Sequence, residues 1–271
     1  METLDIPLVN LAVAFLLLLI PVGISIRYGL KLIKPLFVSI VRMTIQLALI
    51  GVFLKYLFQW NNPFVNIGWL LVMIVVAVFS SVKSSSIRIS SVFLPAFISF
   101  SVATLTVVFF LNVFVVPVNS VFDARYLIVL GGMLLGNSLR GNIVGISTFY
   151  KRLKMDSNHY LYVLSLGATE TEALMPYLRE SVQLALKPTL ASMATMGIVT
   201  LPGMMTGVIL GGASPEVAIK YQIIIMIGIV TSTIASVVLT IILTKRVCVN
   251  RYGVLRNDVF RKESPVKRKK S

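Results

Sequence analysis

Few residues in this 271-residue sequence can do chemistry, and their types restrict it. There is one histidine, His159, one cysteine, Cys248, and ten acids. His159 has no Cys or His neighbour at metal-ligand spacing. No G-x-x-x-x-G-K-[ST] phosphate cradle, G-x-S-x-G elbow or H-E-x-x-H helix occurs. The sequence therefore predicts a non-enzyme without catalytic residues or a cofactor of its own, so that any ATP and magnesium would sit on a partner. The chemistry left is binding and passage. Its candidate carriers are Arg42 and Gln46, four residues apart and so on one helix face; Asn137, followed by Arg140; and the string Leu201-Pro202-Gly203-Met204-Met205-Thr206-Gly207. Thioethers prefer soft cations such as Cu(I), whereas harder ions prefer oxygen and nitrogen. Met204 and Met205 are thus either metal ligands or ordinary fillers of apolar gaps.

The elements that position these groups follow from composition. Charged residues make up 13% of the chain and hydrophobic ones 57%, with a mean hydropathy of +0.91. A soluble domain carries about 25% charged residues, so the solvent for most of this chain is lipid. Seven windows approach the roughly 20 apolar residues that cross a bilayer: 8–26, 36–54, 64–82, 92–116, 126–148, 189–211 and 221–244. The fifth is the weakest, because Asn137, Arg140 and Asn142 fall in its second half; a re-entrant segment is the alternative there.

Charge sets the orientation. Ahead of the first window lie only Glu2 and Asp5, and directly after it come Arg27, Lys31 and Lys34. With seven crossings, of the 25 Lys and Arg only Lys55, Arg125 and Lys220 fall outside, while Arg42 lies within the second window. The expectation is an all-α polytopic membrane protein of seven transmembrane helices, N-terminus outside and C-terminus cytoplasmic. The acidic Met1–Asn10 lacks the basic start of a cleavable signal. Residues 1–248 form the transmembrane domain, with its longest internal segment at 150–188, and 249–271 a basic tail. Residues Arg261, Lys262 and Lys267–Lys270 of that tail face water and anionic lipid rather than nucleic acid. Cys248 reads as an inert reduced thiol. No half of the chain copies the other.

Polar groups inside the windows are functional candidates by default. Arg42 either snorkels, pairs with a neighbouring helix, or lines a substrate path. Gly132 and Gly136 have the small-xxx-small spacing of closely packed helices, and Asn137 is an interhelical hydrogen-bond group or a ligand. Pro202 removes a backbone donor and Gly203 adds slack, so the sixth window kinks or unwinds there. Backbone freed at membrane depth is tolerated beside protein or a watery cavity, which makes Pro202, Gly203, Met204, Met205 and Thr206 translocation-path candidates.

Between the fifth and sixth windows, Gly167 ends the apolar run Leu161–Leu166, and Thr169-Glu170-Thr171-Glu172 can form a capping box. Leu174, Tyr177, Leu178, Val182 and Ala185 then share one helical stripe. Pro176 is expected to split this segment into two short helices, and Pro188 to mark entry to the sixth span. The element either lies on the inner leaflet or docks in a groove of a soluble partner.

The residues Arg42…Gln46, Gly132-Met133…Gly136-Asn137, Leu164-Ser165-Leu166-Gly167-Ala168-Thr169, Leu201-Pro202-Gly203-Met204-Met205-Thr206-Gly207 and Ala218-Ile219-Lys220-Tyr221-Gln222 closely resemble the FetB family. These are membrane subunits of ABC transporters implicated in iron export in bacteria, with plant relatives associated with aluminium tolerance. The resemblance covers about residues 36 to 245; it carries no role to the serine-rich Ser80–Ser86. It implies a permease of the bacterial plasma membrane, paired with a separate ABC ATP-binding subunit that holds the ATP and magnesium. It also implies that Gly167, Ala168, Thr169, Glu172 and Ala173 belong to the coupling region, where Leu174 and Leu178 extend the same face. A permease homodimer follows from the usual twofold symmetry of homo-oligomers. The alternatives are a stand-alone secondary transporter or channel, a membrane scaffold, or ABC export of a non-metal anionic or chelated solute.

Overall fold

A computed structural model describes residues 6–85, 87–117, 120–250 and 254–256. The basic run Arg261, Lys262 and Lys267–Lys270 and the acids Glu2 and Asp5 lie outside the described residues. The described chain is all-helical, with no strand. It begins with α1 (Leu8–Ala14), a 3-10 turn (Phe15–Leu18) and α2 (Leu19–Arg27), followed by α3 (Ile33–Trp60), α4 (Pro63–Ser84) and α5 (Ile89–Phe110). Next come α6 (Ala124–Met155), α7 (Ser157–Ser165), α8 (Glu170–Thr195), α9 (Gly203–Leu210) and α10 (Pro215–Cys248). A π-turn at Leu111–Val115 prolongs α5.

Among the described residues six stretches are long and apolar enough to cross a membrane: Val9–Arg27, Ile33–Trp60, Pro63–Ser84, Ser91–Val115, Ala124–Met155 and Pro215–Cys248. The weak fifth window is thus a continuous helix of 32 residues. The sixth window, 189–211, is not a seventh unbroken helix. It comprises the end of α8, an irregular turn at 196–202 and the eight-residue α9. The turn is centred on Gly197, whose φ of +86° suits a residue without a Cβ, and closes with the Gly197 N–H donating to the Thr200 carbonyl at 2.9 Å. The break therefore begins ahead of Pro202, which serves as the N-cap residue of α9.

The helical break expected at Pro176 is absent, and α8 runs through both Pro176 and Pro188. A proline deletes one backbone bond, and here tertiary packing outweighs the loss: Leu174, Tyr177, Ala185 and Leu186 are all buried. The separation into two helices falls instead at Leu166–Thr169, where Gly167 has φ +93° and Thr169 caps α8.

A seam between α6 and α10 organises the bundle. Ser138 donates to Ser232 at 3.4 Å, Asn142 to Ser236 at 2.8 Å and Tyr150 to Thr244 at 2.8 Å, each pair separated by 94 residues. A constant offset means that the two helices run parallel and in register. Small residues permit the approach. A Cβ on Gly145 would meet Val237 at 2.7 Å, and one on Gly141 would meet Thr233. Gly131 likewise admits Leu70 of α4, at 2.6 Å from where its Cβ would be. Of the Gly132–Gly136 pair, Gly132 is close-packed, with Met73 3.1 Å from where its Cβ would be, whereas Gly136 faces open space.

At the end where α4 and α6 begin, Asn61 and Asn66 clasp three helices. Asn61 Oδ1 accepts from the Ala124 N–H at 2.9 Å, and Asn66 Nδ2 donates to the Phe122 carbonyl at 2.9 Å. Near this end α3 packs through Leu57 and through Phe53, whose ring centroid lies 4.2 Å from that of Trp69. The rest of α3 and the α1–α2 segment are almost wholly exposed, a surface suited to lipid or to other protein.

Candidate functional site

The irregular turn at 196–202 borders a cavity through Met196 and Pro202. A cavity of about 520 Å³ lies among α6, the last turns of α8, the start of α9 and α10. From α6 it receives Asn137, Arg140 and Gly141, residues that share one face because they recur at three- and four-residue steps. From α10 it receives Gln222, Met226 and Ile229 by the same spacing. Pro188 and Ser192 of α8 and Met196 of the turn line it, and Pro202, Gly203 and Met204 close it.

The sequence candidates divide. Asn137, Pro202, Gly203 and Met204 line this cavity together. Met205 and Thr206 are half-buried on α9 without lining it, and Thr206 Oγ1 turns back to donate to the Pro202 carbonyl at 3.2 Å. Arg42 and Gln46 are exposed on α3 and take no part. Asn137 Nδ2 donates to the Met133 carbonyl of its own helix at 2.9 Å, and among the described residues it has no interhelical partner.

Sequence reasoning missed Gln222 and gave Arg140 no role. Gln222 is only 7% exposed; its Nε2 donates weakly to the Met196 sulfur at 3.7 Å, and its Oε1 has no partner. Its signal lay in the spacing to Met226, but a glutamine near a helix start reads as an ordinary interfacial residue. Four methionines, Met133, Met196, Met204 and Met226, also meet here from three helices and a turn. Only tertiary structure could assemble that set. Among the described residues no group of three or more His, Cys, Asp or Glu could hold a metal ion, and none of the residues lining the cavity is acidic.

At the far end of α8 lies the second cluster of candidates. Thr169 and Glu172 form the expected capping box. Thr169 Oγ1 and N–H donate to Glu172 Oε2 at 2.7 and 2.8 Å, and the Glu172 N–H returns to Thr169 Oγ1 at 3.3 Å. The hydroxyl bond first, and the backbone bond with it, hold the Glu172 carboxyl below its ordinary range. Gly167, Ala168, Thr169 and Glu172 form an accessible elbow beside Leu166, which is 70% exposed. Ala173 and Leu174 are buried, and Leu178 packs against the same core. These three face the bundle and fasten the rod whose first turn carries the elbow. Arg152–Glu180 at 2.8 Å and Lys245–Glu170 at 3.6 Å tie α8 to α6 and α10. Such partly exposed pairs contribute about 0–1 kcal/mol each, so the buried stripe holds the element.

The profile of an uncharacterised protein family, UPF0014, matches residues 8–249. The chain belongs to that family. UPF0014 relatives include the probable iron export permease protein FetB of Escherichia coli, 32% identical over 88% of this chain and 90% of that protein. The UPF0014 membrane protein YjkA of Bacillus subtilis is 29% identical over 86% of this chain and 90% of its own length. The protein ALUMINUM SENSITIVE 3 of Arabidopsis thaliana is 31% identical, with 86% and 84% covered. No solved structure matches. As a UPF0014 member with several membrane-crossing helices, this chain is a multi-pass membrane protein of a permease family.

Proposed function

We propose that this chain is the permease subunit of an ATP-driven exporter, moving iron or another metal out of the cytoplasm with ATP hydrolysed on a separate ABC subunit. One observation carries the reading: α8 is a single helix joining the elbow at Leu166–Glu172 to the cavity lining at Pro188, Thr189 and Ser192. A partner seated on the elbow can move that rod, and the rod moves one wall of the cavity against α6 and α10. The turn around Gly197 and Pro202 is the joint that lets the wall move without dragging α9. The absence from the sequence of any phosphate cradle of its own, and the E. coli relative named as a probable iron export permease, support the same assignment.

The topology that goes with it is seven crossings, N-terminus outside and C-terminus inside. The parallel run of α6 and α10 supports it, because two parallel spans need an odd number of crossings between them, and α8, the turn and α9 supply one. The elbow then shares the cytoplasmic side with Arg27, Lys31 and Lys34, as the positive-inside bias asks. Two copies in twofold symmetry would close the open side of the cavity, where Arg140 otherwise meets lipid. Residues 1–248 form the permease body and 249–271 the basic tail.

Leu166→Lys tests the docking role without touching the core. Co-purification with the ABC ATPase should be lost while the variant still inserts and elutes as native protein. Unchanged co-purification contradicts the reading.

A further inference from the structure

We infer that the cavity between α6, α8 and α10 takes its metal as an anionic oxygen-donor chelate, not as a bare ion, with Arg140 and Gln222 as the residues that select it. The metal rests on the export reading above; the preference for negative charge rests on the cavity alone.

Arg140 lies halfway along α6 and lines the cavity, where its guanidinium offers a fork of N–H donors and no acceptor. No lining residue is acidic to offset it. A bare di- or trivalent cation entering here would meet a like charge with no carboxylate to offset it. The donors offered are equally poor for such a cation. Iron and aluminium favour hard, anionic oxygen, whereas the walls provide amide groups and the thioethers of Met133, Met196, Met204 and Met226.

An anionic chelate reverses each of these terms. Its carboxylate oxygens carry the hard donors with them and can accept paired N–H bonds from Arg140. A water on its metal can donate to Gln222 Oε1, a buried acceptor that the protein leaves without a partner and that a turn of this cavity-lining side chain brings to the ligand. Leaving such an atom unpaired is unfavourable, so a ligand that satisfies it gains selectively over one that does not. The methylene backbone of a small polycarboxylate finds the methionine walls, and about 520 Å³ accommodates a ligand of that size.

The test is equilibrium dialysis of radiolabelled iron against the full-length protein in lipid nanodiscs at neutral pH. The probes are ferric citrate, ferrous iron kept reduced without chelator, and metal-free citrate. Ferric citrate should bind saturably, unchelated ferrous iron should not, and citrate alone should compete at least tenfold more weakly than the complex. Arg140→Gln should weaken ferric citrate binding by roughly tenfold or more, as loss of a charge-assisted pair implies, while Arg140→Lys retains most of it. Gln222→Leu should weaken binding severalfold while leaving metal-free citrate unaffected. Native elution of each variant keeps the comparison fair. Saturable binding of bare ferrous iron that survives Arg140→Gln overturns the inference, as does equal affinity for metal-free citrate or no saturable binding of ferric citrate. Intact chelate binding with no ATP-dependent iron movement in proteoliposomes would instead remove the export reading and leave this one standing.

Discussion

At the scale of single residues, the decisive feature is how close two backbones come. Gly141 and Gly145 sit where α10 presents Thr233 and Val237, and a side chain at either position has no room. Gly136, one turn away on the same helix, has nothing within reach of a Cβ. Gly141→Val should therefore overpack the seam, at about 1–3 kcal/mol, and lower the detergent-extracted yield and melting temperature. Gly136→Ala should leave both unchanged or slightly raised, because alanine favours helix. A thermal scan of the two purified variants against the native chain checks the contrast; equal losses would mean that the glycines act through something other than this seam.

At the scale of the element, α8 begins with a cap that depends on charge. Thr169→Ala removes the hydroxyl that holds the first turn, with an expected loss of about 1 kcal/mol of local helix stability. The pH dependence follows from Glu172. Its carboxyl titrates below the usual range in the folded state because the ionised form accepts the Thr169 bonds. The stabilisation is thus fully present above the ordinary carboxylate pKa, and is lost as pH falls through the lowered folded value. Protection from amide exchange at residues 171–174, taken relative to the intrinsic rate at each pH, should fall on acidification, while that in the buried middle of the helix around Ser181 and Ala185 stays high. Glu172→Gln, which keeps the side chain but not the charge, should flatten that dependence.

For the molecule as a whole, the arrangement to test is the direction of each crossing. Lys220 precedes the apolar body of α10 and Lys151 lies in the last turns of α6, and both are exposed. In intact cells, a membrane-impermeant maleimide should label Lys220→Cys and should reach Lys151→Cys only after permeabilisation. The native Cys248 is buried and should stay silent in both. Labelling of both positions from outside would remove the seven-crossing topology and, with it, the cytoplasmic elbow.

Much of this was legible without coordinates. The lipid-dwelling, all-helical character follows from mean hydropathy and sparse charge, which no packing detail can reverse. The end of α7 at Gly167, the Thr169–Glu172 box and the interruption near Pro202 follow from local backbone chemistry, which acts within a turn or two. Tertiary contact decided the rest. Pro176 does not break α8 because distant side chains bury its stripe. The sixth window starts to unwind at Met196, where the helix gives way to a Gly197 turn beside the cavity. Gln222 matters because Met196, on another element, leaves its oxygen alone. A run of sequence encodes what its own residues prefer; which groups stand opposite one another, 94 residues apart in the α6–α10 seam, exists only once the helices have packed.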